Sequence, residues 1–294
     1  MSITRQNLSV IIVSFKSDHI IQRCIDSIDK EIEIIVVDNS NNAEFKKYIE
    51  DKYKNVRCIL STKNIGMGGG NNIGIKSTNK DFALVLNPDV ILEKDAINQI
   101  IIASKKINSF GVIAPALDDV KYPNYKLDYT KDQKFDPINP FKVKSVDGYS
   151  MLLNLKKLKQ LTNFNFFDEN FFLYLENDDF CKRLQLIKEN IFVVPKSKIY
   201  HLGGQAVDPK YKKEIELVRN WHWMWSKFYY NNKHYGYLNA TIKILKNLFS
   251  AIIKFFFYSI IFNNYKRKIY QMRLSGLINS MIGKKSFFRA KLDN

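Results

Sequence analysis

Apolar positions follow two rhythms along the first two-thirds of this chain. Short β-branched runs alternate with stretches whose apolar residues recur every three or four positions, the pattern of a parallel α/β sheet. Residues 10–13 are a continuous apolar run and predict a strand buried on both faces. Asp18 is placed to cap a helix carrying Ile20, Ile21, Cys24, Ile25 and Ile28 on one face. Residues 34–37, 56–60, 82–86 and 112–114 predict further strands, with helices over 43–53 and 95–106. A glycine-rich turn at 66–70 leads into a short helix. Residues 118–142, rich in Asp, Lys, Tyr and Pro, read as a loop or flap over the sheet. Strands at 146–153 and 191–194 enclose a helix from about 176 to 187, and no internal repeat is present.

The last quarter has its own pattern. At 100° per residue, Asn239, Lys243, Lys246, Asn247, Ser250 and Lys254 form a narrow polar stripe, with isoleucine, leucine and phenylalanine on the rest of the circumference. A spanning helix needs about 20 apolar residues, and Lys246 and Lys254 interrupt this run. The pattern fits a helix lying in a membrane interface with its lysines reaching headgroups. A core helix with basic decoration is the alternative. This divides the chain into a domain over 1–230 and a basic amphipathic helical tail over 231–294.

Charge sharpens that division. The 294 residues carry 46 Lys+Arg against 29 Asp+Glu, a net of +17. From 230 onward there are 12 Lys/Arg and one acid, Asp293. Such a tail suits an anionic membrane, nucleic acid or a phosphorylated substrate. Its apolar arc is too continuous for a nucleic-acid surface, so nucleic acid is not expected as a partner. The apolar content, 46%, rules out wholesale disorder. Residues 1–8 carry polar and charged residues, and the apolar run that follows is too short for a signal peptide, so none is expected. Cys24, Cys58 and Cys181 are odd in number and outside metal-ligand spacing, which suits core positions in a reducing compartment.

In open parallel sheets ligands bind beyond the carboxyl ends of the strands. Three polar groups stand at those ends: Asp38-Asn39-Ser40, the run from Lys63 through the glycines 66, 68, 69, 70 and 74, and Asn87-Pro88-Asp89. Asp38 can accept hydrogen bonds from a nucleobase or ribose. The glycines let backbone approach a ligand and turn N–H groups toward an anion. Asp89 is a hard oxygen ligand for Mg2+ or Mn2+, with the Asn87 carbonyl beside it. The glycine run follows the third strand rather than the first, against a nicotinamide-binding fingerprint, and no Walker A lysine pattern is present.

These motifs, in this order, resemble the family-two inverting glycosyltransferases, closest to the bacterial rhamnosyltransferase-like branch. They begin with Val10-Ile-Ile-Val-Ser-Phe, Ile35-Val-Val-Asp-Asn-Ser, Asn64-x-Gly-x-Gly-x-Gly-Asn-Asn-x-Gly and Leu86-Asn-Pro-Asp-Val. Val146-Asp-Gly-Tyr-Ser-Met-Leu-Leu, the segment from Phe167 to Arg183 and His201-Leu-Gly-Gly continue the match, over roughly residues 8–230. The resemblance implies a GT-A fold: a mostly parallel central sheet flanked by helices, with the amphipathic helical tail appended. It implies a dTDP- or UDP-sugar donor held by Ser14, Asp38, Asn39, Asn64, Gly66, Gly70, Asn71, Asn87 and Asp89. A divalent cation would sit on Asp89 and His201. Gly148, Tyr149 and Tyr174 would face the acceptor, a hydroxyl of a growing, lipid-linked or oligosaccharide, cell-envelope glycan. The enzyme would work in the cytoplasm, peripheral on the inner face of the membrane.

The family's general base is the second residue of a Glu-Asp pair, and here the pair is Glu176-Asn177. An amide takes up no proton, so the role passes to Glu176 first and Asp178 second. Asp179, four residues before Arg183, is spaced for an ion pair. A chain that binds nucleotide sugar without turning it over is the alternative that Asn177 raises.

Overall fold

The structure, a computed structural model, describes residues 2–119, 121–128, 134–161, 165–290 and 292. They form two compact units: Met1–Asp168 with Asn177–Asp208, and Glu169–Glu176 with Pro209–Asn294.

The first unit is built on a nine-stranded sheet. Its first half is parallel: Leu8–Ser14 (β1) lies between Glu33–Asp38 (β2) and Phe82–Leu86 (β4), with Val56–Leu60 (β3) outside β2. The continuous apolar runs produce this, because β1, β2 and β4 are buried along almost their whole length. Val90–Leu92 (β5), Val112–Leu117 (β6), Tyr125–Lys126 (β7), Phe141–Lys142 (β8), Ser145–Val146 (β9), Ser150–Asn154 (β10) and Ile191–His201 (β11) follow. The sheet order is β3-β2-β1-β4-β10-β6-β11-β5, with β8 also on β11, and β7 and β9 form a separate ribbon. Strand β10 runs antiparallel to both neighbours, β4 and β6. The chain direction therefore reverses immediately beside the carboxyl end of β4.

Helices Ile21–Asp26 (α1), Ala43–Lys52 (α2), Gly66–Lys76 (α3), Ala96–Ser104 (α4), Leu155–Lys159 (α5) and Glu176–Leu186 (α6) complete the layers. The four parallel strands and their helices follow the apolar pattern to within a few residues. Elsewhere the pattern misleads. Asp18 does not cap α1: Ile20 occupies the cap position with no side-chain bond, and the Ser17 carbonyl accepts from the N–H groups of Ile20 and Ile21. The glycines at 66–70 are not a turn before a helix but the first turn and a half of α3 itself. The strand expected over 146–153 is cut into β9 and β10 by residues 147–149. Strand β11 runs seven residues past the apolar run, with a register shift between Val194 and Lys198, around Pro195. The expected loop over 118–142 contains β7 and β8, and part of it lies outside the described residues. Cys24, Cys58 and Cys181 are buried free thiols, as expected of core residues, and burial raises the pKa of each.

The second unit is helical: Lys212–Tyr235 (α7), Tyr237–Ile260 (α8) and Asn264–Met281 (α9). Gly236, at φ +81°, turns the chain between α7 and α8. Met224, Phe228, Ala240, Ile244 and Leu277 make its apolar centre. At Gly276 a Cβ would stand 2.1 Å from the Trp221 carbonyl oxygen, so α9 crosses α7 at backbone contact. Polar groups tie the helices: Trp221 Nε1 donates to Ser275 Oγ (3.1 Å) and Ser280 Oγ to the Trp225 carbonyl (2.9 Å). Segment 169–176 belongs here through Ser226 Oγ on the Leu173 carbonyl (2.8 Å) and the Phe172 ring against His222.

Along the polar stripe of α8, Lys243 lies over the Tyr235 ring, Asn247 accepts from Lys227, and Lys254 lies over the Tyr270 ring, while Asn239, Lys243, Lys246 and Lys254 all stay exposed. Leu238, Ile242, Phe249, Ile253, Phe256 and Ile260 are exposed as well. No described helix is long and apolar enough to cross a membrane.

Candidate active site

The register of the sheet brings the predicted donor residues to one edge of the first unit. Ser14 and Asp38 are directly paired on β1 and β2, and Asn87 follows the end of β4 on the other side of β1. Asp38 is fully buried. Its two oxygens accept from the backbone N–H groups of Ser40 (3.1 Å) and Asn42 (2.9 Å), so it fixes the loop after β2. Burial raises its pKa, against the pull of those bonds. Asn39 Nδ2 donates to the Gly66 carbonyl at 3.1 Å and joins this loop to the start of α3.

Two uses of glycine separate within α3. Gly66 sits at φ +81°, where its N–H is held by Asn64 Oδ1 at 3.0 Å, a backbone conformation that suits glycine. Gly70 and Gly74 instead face the sheet. A Cβ on Gly70 would come within 2.7 Å of Val13 Cγ1, and one on Gly74 within 2.3 Å of Ile11 Cγ2. These two glycines let helix and strand meet closely, a contact made with protein rather than with ligand. Asn72 grips the Phe167 backbone with both ends of its amide (2.9 and 3.0 Å).

Along this edge, buried oxygens stand without hydrogen-bond partners among the described residues: Ser14 Oγ, Asn39 Oδ1, Asn71 Oδ1, Asn87 Oδ1 and Asp89 Oδ1. Orphaned buried acceptors are costly and few in folded proteins. Their concentration here, from three strand ends and one helix, marks a place built to meet donors or a cation.

Asp89 is 2% exposed, and its Oδ1 lies 3.5 Å from His201 Nε2 at the end of β11. The pairing of β11 with β5 sets His201 opposite Val90, next to Asp89. The Asn87 N–H donates to the Tyr149 carbonyl (2.9 Å), and the Tyr149 ring stacks on His201 at 4.0 Å between centroids. Burial raises the Tyr149 pKa, with Asp147 adding to it. Asn87, Asp89, Tyr149 and His201 thus form one group. Among the described residues no three His, Cys, Asp or Glu side chains gather as a metal cage. Mg2+ and Mn2+ seldom need one, since substrate phosphates and water complete their shell. An unpartnered carboxylate oxygen, an unpartnered amide oxygen and an imidazole fit such an ion.

The Asp147-Gly148-Tyr149 turn packs on the start of α6. A Cβ on Gly148 would meet Asn177 Cβ at 3.0 Å, and Asn177 Nδ2 donates to the Val146 carbonyl at 3.0 Å. Asp178 is ion-paired with Lys126 (3.0 Å), while Asp179, fully buried, meets Arg183 Nε at 2.8 Å. Tyr174 and Glu176 group with the second unit, where the Tyr174 ring meets Trp223 edge-on at 5.4 Å. Burial raises the Tyr174 pKa. Sequence reasoning missed Asp147 and Lys126. Taking 146–153 as one unbroken strand hid Asp147, a carboxylate that in fact directly follows a buried strand, as Asp38 ends one.

Comparison with known proteins bears on the fold and the family. The chain is 29% identical over 218 residues to the low-salt glycan biosynthesis hexosyltransferase Agl10 of Haloferax volcanii, covering 69% of this chain and 68% of that protein. Over 222 residues it is 25% identical to rhamnosyltransferase WbbL of Escherichia coli K12, covering 65% and 82% respectively. The mannosyltransferase PcManGT of Pyrobaculum calidifontis, solved with GDP-Man and Mn2+, has the same GT-A fold. It superposes with a TM-score of 0.56 at 10% identity over 96% of this chain and 89% of that one. The profile of glycosyl transferase family 2 matches residues 9–192, from within β1 into β11, and the chain belongs to that family.

Proposed function

We propose that this glycosyltransferase moves a hexosyl group, rhamnose among the candidates, from a dTDP- or UDP-sugar to a hydroxyl of a growing, lipid-linked cell-envelope glycan, with inversion at the anomeric carbon. The observation that carries it is the row of unpartnered buried oxygens at the ends of β1, β2 and β4, ending in Asp89 beside His201. The relatives named hexosyltransferase and rhamnosyltransferase support the class of sugar, and the Mn2+-bound mannosyltransferase supports a divalent cation.

Asp89 and His201, with the Asn87 amide oxygen, would hold the cation. When bound, it would supply positive charge to the departing diphosphate. Asn39, Asn71 and Ser14 orient the donor through acceptors that are already in place, so little reorganisation accompanies reaction. Inversion requires a carboxylate on the side away from the leaving group to take the acceptor proton. The sequence offers Glu176 and Asp178. In the second unit, the exposed apolar face of α8 and the basic run Lys266-Arg267-Lys268 support docking on an anionic leaflet, where a lipid-linked acceptor would be presented.

The test is a thermal-stability screen of UDP-, dTDP- and GDP-sugars with Mn2+, followed by nucleoside diphosphate release. A donor that binds the native state raises its melting temperature. Stabilisation with release, both lost in Asp89→Ala, supports a working transferase. Stabilisation without release favours the binding-only alternative.

A further inference from the structure

We infer that Asp147, in the turn between β9 and β10, is the general base of the transfer reaction, in place of the carboxylate that Asn177 lacks. The inference rests on the transferase reading of the site and assigns a residue within it.

The placement of the turn carries the argument. On one side, the Tyr149 carbonyl accepts from the Asn87 N–H (2.9 Å) and the Tyr149 ring stacks on His201, itself 3.5 Å from Asp89. On the other side, Gly148 packs against the Asn177 side chain. Asp147 therefore stands in the chain between the residues proposed to hold the leaving diphosphate and the helix start where the family keeps its base. Its backbone is fixed as well. The Asp147 N–H donates to the carbonyl of Asn124 at 2.9 Å, and the fully buried Asn124 side chain bonds the Leu117 N–H (3.0 Å) and the Pro115 carbonyl (2.9 Å) on β6. A catalytic carboxylate needs this kind of rigid support.

Of the neighbouring acids, Asp178 is paired with Lys126 and Asp179 is buried on Arg183, while the Asn177 amide holds the Val146 carbonyl. Lys126, Asp178 and His201 all act electrostatically on Asp147. Burial raises the Asp147 pKa from its ordinary value, against the pull of Lys126 and His201, which makes it a stronger proton acceptor. In the step, an Asp147 oxygen takes the proton of the acceptor hydroxyl as the acceptor oxygen bonds to the anomeric carbon. The bond from that carbon to the diphosphate breaks, and its electron pair leaves with the nucleoside diphosphate.

The experiment measures nucleoside diphosphate release from dTDP-rhamnose, UDP-glucose, UDP-galactose and GDP-mannose with Mn2+, with water as acceptor, for the full chain. Asp147→Asn should lower kcat by about 100-fold or more, the range of acid–base catalysis. Its donor KM and its stabilisation by donor should stay within about twofold of wild type. Asp147→Glu should recover part of the rate, and Glu176→Gln should lose at least tenfold less than Asp147→Asn. A change in kcat under about threefold, a loss confined to KM, or a larger loss in Glu176→Gln overturns the inference and leaves the transferase reading intact. If Asp147→Asn does not reach the wild-type melting temperature, Asp147→Ser is read in its place. If neither folds, Asp147 is structural and the inference falls. Wild-type protein that neither binds nor cleaves any of these donors removes the transferase reading and the inference together.

Discussion

The sheet unit and the helical unit treat buried polar groups in opposite ways. In the helical unit buried polar atoms mostly find partners inside the unit: Ser226, Ser280 and Ser286 hydroxyls each donate to a carbonyl, and two tryptophan N–H groups find oxygen partners. His222 Nδ1 and Arg273 Nε are among the exceptions. In the sheet unit the unpartnered oxygens crowd the ends of the parallel strands. A satisfied polar group rigidifies its surroundings, whereas a row of unsatisfied ones is stability forgone for a ligand. The difference teaches that the two units use polar burial for different ends, one leaving groups open to a ligand and the other tying its own chain together.

The largest test of that contrast is Asp89→Ala. Turnover should drop about 1000-fold, as for removal of a principal electrostatic stabiliser, while the melting temperature stays unchanged or rises. A fall in stability matching the fall in rate would move Asp89 to the scaffold side. Gly276→Ala probes the opposite case. A Cβ 2.1 Å from the Trp221 carbonyl forces α9 away from α7, at about 3 kcal/mol in denaturant unfolding. Nucleotide-sugar binding by the sheet unit should survive it.

Acid should distinguish the units next. His222 is fully buried, its Nε2 bonds the Phe288 carbonyl at 2.8 Å, and its pKa is lowered to about 3, first by burial. An unfolded histidine titrates near 6.5. Above about pH 6.5 both states are neutral there, and the stability is fully present. As pH falls from about 6.5 toward 3, the unfolded chain binds a proton that the folded chain refuses, so stability drops by up to about 1.4 kcal/mol per pH unit. His222→Gln, which keeps a donor for the Phe288 carbonyl, should flatten that slope in denaturation curves at pH 7.5, 6.5 and 5.5. The smallest effect expected is at Lys266. Its replacement by Gln should weaken binding to vesicles containing anionic lipid by about 1 kcal/mol, roughly fivefold, and high salt should mask the difference.

Much of the sheet could be read from the sequence because fully buried parallel strands are plain apolar runs, as at residues 10–13 and 82–86. The rest was hidden for identifiable reasons. The far half of β11 alternates buried Ser197 and Ile199 with less buried Lys198 and Tyr200, and Pro195 breaks the rhythm before it. Strand β5 spans three residues, too few to show a period. The strand-end rule located Asp38, Asn87 and Asp89, yet passed over Asp147 because apolar neighbours on both sides made the turn look like strand. Glycine composition likewise could not separate Gly66, set by its φ, from Gly70 and Gly74, set by Val13 and Ile11 across the interface. Helical periodicity gave the two arcs of α8, but which of the polar residues find partners depends on Tyr235, Lys227 and Tyr270 on the neighbouring helices.

The distribution of thiols has a practical consequence. Cys24, Cys58 and Cys181 all lie inside the sheet unit, and burial keeps each protonated and slow to react. A maleimide or disulfide reagent added to the native chain therefore acts as a silent clock. Each label incorporated records an opening of the sheet unit, and unfolding confined to the three C-terminal helices leaves the mass of the protein unchanged.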